Sequence, residues 1–277
     1  MRATLLTPAD AAEARALLAR DPITNLFLID KLDRTGFVAN RADRWVGVRD
    51  PSHRLAALAY TARQHAGRPA DTTVPWGDPA HCPALGARIR QEGGSRLLVG
   101  PRAACDAVWA GLGRPSPRRH HEQRLYVADQ PPDGPQLPVQ RATASDVPAL
   151  TEMQAGMLHD DLGIAREDLD LDILARRVGE KVAAGATWVV REDDRVVFVV
   201  SVGFRAAGGA QLGGTYVWPE DRGRGIATRA VRGLVGTLRS EGLPRVTLHV
   251  HEANTPAVRC YVAAGFRPHA PFRLMVL

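Results

Sequence analysis

The feature that most restricts this chain is a ten-residue stretch near its midpoint: Asp129-Gln130-Pro131-Pro132-Asp133-Gly134-Pro135-Gln136-Leu137-Pro138. Each of its four prolines fixes φ and removes a backbone donor, so neither a helix nor a central strand can run through it. The 277 residues are therefore read as two domains, 1–128 and 139–277, joined by a linker at 129–138. Each is of ordinary size for a single core. The two halves also begin alike. Arg2-Ala3-Thr4 is followed by Asp10, and Arg141-Ala142-Thr143 by Asp146. In each case a short strand leads into an apolar helix that follows an aspartate, a weak sign of internal duplication.

Periodicity organises the second half. Residues 147–158 and 168–184 read as helices, the latter with Leu171, Leu174, Val178 and Val182 on one stripe. Residues 187–190, 196–204 and 211–217 read as strands, the first two joined by a hairpin turn at Glu192-Asp193-Asp194-Arg195. Residues 225–241 form a strongly amphipathic helix stopped by Gly242 and Pro244. A strand at 246–251, a short helix at 255–264 with Thr255 as N-cap, and a strand at 272–277 complete the order βααβββαβαβ. The first half is less legible. Helices are expected near 9–18, 24–32, 84–91 and 103–112, strands near 45–48, 55–60, 96–99 and 123–127, and loop over the proline-rich residues 71–83.

Composition excludes several classes of function. No stretch of about 18 apolar residues is available to span a membrane. The first ten residues lack the apolar core of a secretory leader. Cys82, Cys105 and Cys260 are too dispersed for a disulfide framework or a CxxC metal site, so no metal is expected and a reducing, cytoplasmic setting fits. Net charge is +6, but only Lys31 and Lys181 are lysines, leaving 34 of the 36 basic residues as dispersed arginines. The chain is read as binding no nucleic acid, and as suited to an acidic small ligand instead.

The chemistry concentrates in two segments. Thr215-Tyr216-Val217-Trp218-Pro219-Glu220-Asp221-Arg222-Gly223-Arg224-Gly225-Ile226-Ala227-Thr228 follows a strand and opens a helix. Gly223 and Gly225 permit a tight turn, and the first helical amides have no intrahelical partners, so the segment suits a phosphate. It is not a Rossmann fingerprint, because Thr228 stands at the third glycine position, and it lacks the GK[ST] of a P-loop. Downstream lie Asn254, Ala257, Tyr261, Gly265 and Phe266.

Together these segments resemble the GCN5-related N-acetyltransferase (GNAT) family. Its [Q/R]xxGx[G/A] motif matches Arg222-Gly223-Arg224-Gly225-Ile226-Ala227, preceded by Val217-Trp218-Pro219. Its N-x-x-A-x-x-x-Y-x-x-x-G-F pattern is met at every fixed position from Asn254 to Phe266. The resemblance covers residues 139–277. It implies an α/β (α+β) fold, here as tandem GNAT-like domains. Each would have a mixed, mostly antiparallel central sheet with helices on both faces. The first half resembles a degenerate GNAT-like domain through Asp21-Pro22-Ile23-Thr24-Asn25-Leu26-Phe27 and Leu97-Leu98-Val99-Gly100-Pro101. Gly100-Pro101 stands there where a phosphate loop would be, so no cofactor is expected in that half.

The resemblance further implies an acetyltransferase that moves an acetyl group from acetyl-CoA (coenzyme A) to a primary amine of a small molecule. Thr215, Tyr216 and Val217 would meet the pantetheine arm, and the amides of Gly223, Arg224, Gly225, Ile226, Ala227 and Thr228 the pyrophosphate. Arg222 and Arg224 would either add charge or be solvated. Tyr261 corresponds to the general acid, and Asn254 would bond the cofactor or order a water. No carboxylate lies on residues 211–217, so the base is either His249, with His251 on the same face, or a water chain. Glu152, His159, Asp160 and Asp161 would contact the amine or form a solvated acidic loop. A narrower reading is a tandem enzyme that acetylates the amine of a thiol precursor. Two alternatives stand beside these: a non-catalytic acyl-CoA sensor, and an acetyltransferase of protein lysines or N-termini. A monomer or homodimer is expected.

Overall fold

The computed structural model describes residues 2–37, 43–62 and 70–277. Met1 of the leader reading lies outside them. The first half runs β1 (Ala3–Leu5), α1 (Ala11–Leu18), α2 (Leu26–Thr35), β2 (Asp43–Arg49), β3 (Leu55–Ala62), β4 (Thr72–Gly77), α3 (Cys82–Gln91), β5 (Leu97–Pro101), α4 (Arg102–Gly111) and β6 (Arg119–Ala128). The second half repeats the succession: β7 (Gln140–Arg141), α5 (Val147–Leu162), α6 (Leu171–Ala183), β8 (Thr187–Glu192), β9 (Arg195–Ala206), β10 (Gly209–Val217), α7 (Ile226–Ser240), β11 (Val246–His251), α8 (Thr255–Ala263) and β12 (Arg267–Val276). The pairing pattern repeats as well. β1–β2, β2–β3 and β3–β4 are antiparallel and β4–β5 parallel. Likewise β7–β8, β8–β9 and β9–β10 are antiparallel and β10–β11 parallel.

The duplication is sharper in structure than in sequence, and its register differs from the Arg-Ala-Thr match. The equivalent residues are Thr7 with Thr143 and Asp10 with Asp146. In each pair the threonine amide donates to the aspartate, at 2.8 and 2.7 Å, and the carboxylate also takes an arginine, Arg49 or Arg191. Thr4, the third residue of the matched triplet, lies on β1 instead.

Strand alternation sorts the first half's apolar side chains onto two faces. Val46, Val48, Ala57 and Ala59 pack with Leu85 and Ile89 of α3 and Val108 of α4. Trp45, Leu58 and Tyr60 pack with Leu17 and Leu18 of α1 and Leu28 and Leu32 of α2. In the second half Leu150 and Met153 of α5 and Val178 and Val182 of α6 cover Val189, Val199 and Tyr216. α7 buries Ile226, Ala230, Val231, Leu234, Val235 and Leu238.

Three expectations are corrected. Residues 71–83 hold β4 and the start of α3 rather than loop. Pro75 is tolerated because β4 pairs fully with β3 but with β5 only at Thr73–Leu98, so past that pair no ladder donor is needed on the β5 side. Pro83 enters the first turn of α3, where its missing N–H is no loss. The cap of α8 is Asn254, whose side chain accepts from the Ala257 amide at 3.2 Å, and Thr255 is the first helical residue. α6 starts at Leu171, capped by Asp170, and Asp168 lies in a preceding 3-10 turn.

Two compact units result: residues 1–125, 250–253 and 268–277, and residues 126–249 and 254–267. The first is therefore not cut from the chain at a single point. Phe272 to Val276 of β12 pair antiparallel with Pro101 to Leu97 of β5. Met275, fully buried, joins the α3–α4 side of that core. Arg273 pairs with Asp106 of α4 at 2.6 Å.

Candidate functional site

The site is built in the second unit, where β10 leaves its neighbours. β10 pairs with β11 at Ala210–Val246, Gln211–Thr247 and Leu212–Leu248, and the two strands then part. On its other side Gly213 pairs with Ser201 and Tyr216 with Val199. Three steps on β10 therefore answer two on β9, a bulge that frees backbone groups of Gly214 and Thr215 from the ladder. Gly214 accommodates it at φ +61°. Adjacent glycines inside a strand pattern, Gly213 and Gly214, are the sequence signal for this bulge.

After β10 the chain makes a 3-10 turn at Pro219–Asp221 and enters α7 through Gly223 (φ +78°) and Gly225 (φ +69°). A Cβ at either glycine would stand in open space. The turn is thus clear of protein atoms on the side where a ligand would approach. The first bond into α7 is Arg229 N to Gly225 O, 3.2 Å, so the amides before it have no intrahelical partner. The helix is 15 residues long and adds positive potential at this end.

The two arginines of the turn are occupied. Arg224 pairs with Asp221 at 2.7 Å and Glu192 at 2.8 Å. Buried Asp221 also holds Arg195 at 2.7 Å. Arg222 donates to Val217 O at 3.2 Å, pairs with Asp160 at 2.6 Å and lies 5.3 Å over the Tyr216 ring. Both brace the loop. Arg229, which lies outside both motifs, has no carboxylate partner among the described residues; it donates at 3.4 Å to Gly225 O and Arg224 O.

Across the gap stands α8. Its Tyr261 is buried and packs on Phe266, with ring centroids 6.0 Å apart. Burial pushes the phenol up to about 12. The Thr215 hydroxyl beside it pulls weakly the other way, while Cys260 and the charge of Asp161 add to the rise. Thr215 Oγ1 is itself buried, without a partner of hydrogen-bond geometry among the described residues. The Thr228 hydroxyl, 3.5 Å from Cys260 Sγ, ties the first turn of α7 to α8. Asn254 spends Oδ1 on its cap.

The other expected residues are distributed as follows. His249 is half-buried, with Nδ1 3.5 Å from the Gln211 amide, and burial pushes its pKa down to about 4. His251 falls in the first unit, where its ring meets His121 edge-on at 5.2 Å. Glu152 is held by Arg166 through two bonds of 2.6 and 3.1 Å. His159 Nδ1 lies 3.3 Å from Ile164 O.

An open helix start thus lies beside a bulged strand and is faced by a buried tyrosine. Residues 152–266 match the acetyltransferase (GNAT) family. The matched stretch takes in both motifs and the helix start, and it spans less than half of the chain.

Among related proteins, a mycothiol acetyltransferase of Thermobispora bispora is 48% identical over 48 residues. That stretch is 17% of this chain and only 16% of the relative. Likeness of fold extends further. A GCN5-related N-acetyltransferase from Sphaerobacter thermophilus superposes with a TM-score of 0.63 at 19% identity, covering 99% of this chain and 94% of that one. A tandem GNAT protein from the clavulanic acid biosynthesis pathway superposes with a TM-score of 0.52 at 17% identity, covering 99% and 97%. At these identities the likeness establishes the tandem GNAT architecture. Among the described residues no helix is long and apolar enough to cross a membrane.

Proposed function

We propose that the second unit transfers an acetyl group from acetyl-CoA to a primary amine of a small molecule. The observation that carries this reading is the open, glycine-bracketed start of α7 next to the β10 bulge, with Tyr261 across the gap. The residues fit the donor. The amides of Gly223 through Thr228 offer the pyrophosphate a concentration of donors, with Arg229 rather than Arg222 or Arg224 as the added cation. The backbone of Gly214 and Thr215, freed by the bulge, and the edge of Tyr216 and Val217 beyond the β11 pairing suit an extended arm carrying amides, and the orphan Thr215 hydroxyl gains a partner there. Acetyl-CoA supplies an activated thioester.

The amine attacks the thioester carbon. A C–N bond forms, the C–S bond breaks, and the thiolate leaves. Backbone amides at the bulge stabilise negative charge developing on the carbonyl oxygen. Tyr261, kept protonated by burial, delivers its proton to the sulfur. Asn254 orients the bound donor or a water through Nδ2. The amine proton goes to water relayed past His249. An imidazole pushed down to about 4 is neutral at working pH but drives proton removal poorly as a terminal base. The short stretch shared with a mycothiol acetyltransferase makes the amine of a thiol precursor one acceptor to test.

Thiol release from acetyl-CoA over a panel of amines tests the reading, with Tyr261→Phe as control and CoA titration alongside. Turnover that depends on Tyr261 supports it. CoA binding without turnover on any amine favours the acyl-CoA sensor, the reading to which the carboxylate-free β10 strand lends weight. Absence of CoA binding overturns both.

A further inference from the structure

Gly156 lies inside α5 (Val147–Leu162), more than a turn from either end. Glycine within a helix is destabilising relative to alanine, because it loses more backbone freedom on folding. Its neighbours supply the reason for it. A Cβ added at Gly156 would stand 2.5 Å from the Tyr216 hydroxyl oxygen and 3.0 Å from the ring carbon that bears it. Carbon atoms in good contact are about 3.5–4.0 Å apart. Gly179 of α6 shows the opposite case: an added Cβ there has nothing within 4 Å. Of these two helix glycines, Gly156 alone marks a close approach, that of bare helix backbone to a tyrosine of β10.

The ring has little room to give way. Tyr216 is buried with Leu150 and Met153 of α5 and Val199 of β9. The Arg222 guanidinium lies 5.3 Å over its face, and Trp218 meets it edge-on at 6.0 Å. Trp218 is itself tied by its indole N–H to Val196 O at 2.9 Å. Arg222 is tied to Asp160, one turn beyond Gly156 on α5, at 2.6 Å. The same helix therefore meets the ring directly and also holds the cation that covers it.

The backbone of Tyr216 is where the β10 bulge closes. Pairing with β9 resumes at Tyr216–Val199, immediately after the freed residues Gly214 and Thr215. A ring displaced by a methyl group at residue 156 passes the displacement to β10 at that point, and so to the amides beside the proposed reacting carbonyl. The start of α7 holds its ligand through its own amides, so donor affinity depends on this contact far less than the chemical step does.

Resting on the acetyl-transfer reading, we infer that Gly156 and the Tyr216 ring are positioning residues for the transfer. Their contact sets where the bulge holds its freed amides, and neither group takes part in bond making. A misplacement of about 1 Å at a reacting centre can lower a rate by about 10²-fold.

The test uses the full chain with Gly156→Ala and Gly179→Ala, each made in the native sequence and in a Tyr216→Phe background. Thiol release from acetyl-CoA gives kcat, and calorimetry gives CoA affinity. Gly156→Ala should lower kcat by about tenfold or more while CoA affinity stays within about threefold. In the Tyr216→Phe background the hydroxyl is gone, and the same change should cost under about threefold. Gly179→Ala should leave kcat unchanged and raise the unfolding midpoint, as helix propensity alone requires. Tyr216→Leu, which withdraws the ring without any collision, should lower kcat as Gly156→Ala does; it decides the matter if Gly156→Ala does not fold. Amide hydrogen exchange at Tyr216 and Val217 needs no substrate: it should quicken in Gly156→Ala and recover when Tyr216→Phe is added.

The inference is overturned if Gly156→Ala or Tyr216→Leu keeps its kcat, or if the cost of Gly156→Ala is the same in both backgrounds. It is also overturned if kcat and CoA affinity fall together. A native chain that binds no CoA, or turns over no amine, would defeat the acetyl-transfer reading instead. The exchange pattern would then still decide whether Gly156 sets the bulge.

Discussion

Between β4 and α3 the first half turns through Asp78, Pro79, Ala80 and His81. Between β10 and α7 the second half turns through Trp218 to Gly225. By element order these are the same turn, which places the first half's counterpart of the phosphate loop at 78–81 rather than at Gly100-Pro101. The Asp78 carboxylate accepts from the Ala80 amide at 2.9 Å and faces His81 Nδ1 at 3.2 Å, and the His81 amide bonds Asp78 O at 3.0 Å. Donors are satisfied within the turn, and its side chain is an anion. In the second half Asp221 N and Arg222 N bond back to Trp218 O and Pro219 O, but two glycines at positive φ then lead into a helix whose first amides have no intrahelical partner. The neighbouring strands differ likewise. Gly100 lies so close to Pro75 that an added Cβ would come within 3.2 Å of its Cδ, whereas the β10–β11 gap holds the orphan hydroxyl of Thr215. The repeated frame is set by apolar alternation and the Thr–Asp–Arg caps. Whether it carries a site depends on which backbone donors one loop leaves unsatisfied.

The largest expected effect concerns how the first unit is completed. Met275→Ala should cost about 2–5 kcal/mol, the usual range for a buried large-to-small change, seen as a lowered unfolding midpoint in urea. A cost below about 1 kcal/mol would mean that this core does not depend on the chain's last strand. Next comes the second half's chemistry. Tyr261→Phe should lower kcat by about 10²-fold or more while leaving CoA affinity within a few-fold; an unchanged kcat would remove the tyrosine from the reaction.

His249 sharpens the contrast through pH. Its folded pKa of about 4 lies below its ordinary 6.5, so the unfolded chain takes up the proton first as pH falls. Stability should be full above pH 6.5 and fall by on the order of 1–2 kcal/mol by pH 5. His249→Asn should flatten that slope in denaturant titrations at a series of pH values. The kcat/KM profile should show no acid limb near 6.5 belonging to the enzyme. The smallest effects belong to the loop arginines. Arg224→Gln should leave the unfolding midpoint and CoA affinity little changed, whereas Arg229→Gln should weaken CoA a few-fold; the reverse order would show that Arg224 leaves its carboxylates to bind phosphate.

Much of this was legible because it is local. Arg222 through Ala227 and Asn254 through Phe266 are fixed spacings on one loop and one helix, and their apolar surroundings repeat with helix or strand period. The turn at Asp193-Asp194, both at positive φ, was equally readable as a hairpin. What depends on partners was not. Pro75 looks like a strand breaker until its unpaired side is known. The last strand gives no sign in its own residues that it pairs with β5. Nor can a sequence show that Arg166 and Arg222 already hold Glu152 and Asp160, or that burial takes His249 away from its ordinary pKa. The bulge at Gly213 and Gly214 lay between: its residues were visible, but its role depends on the mismatch with β9.

Calorimetric titration of CoA into the full chain, with Gly223→Ala/Gly225→Ala as the companion variant, tests the central contrast most directly. The account predicts one CoA per chain. It also predicts at least a tenfold loss of affinity in the variant, where both added methyl groups enter the open cradle and strain a positive φ. A stoichiometry of two would contradict the account, as would undiminished binding by the variant.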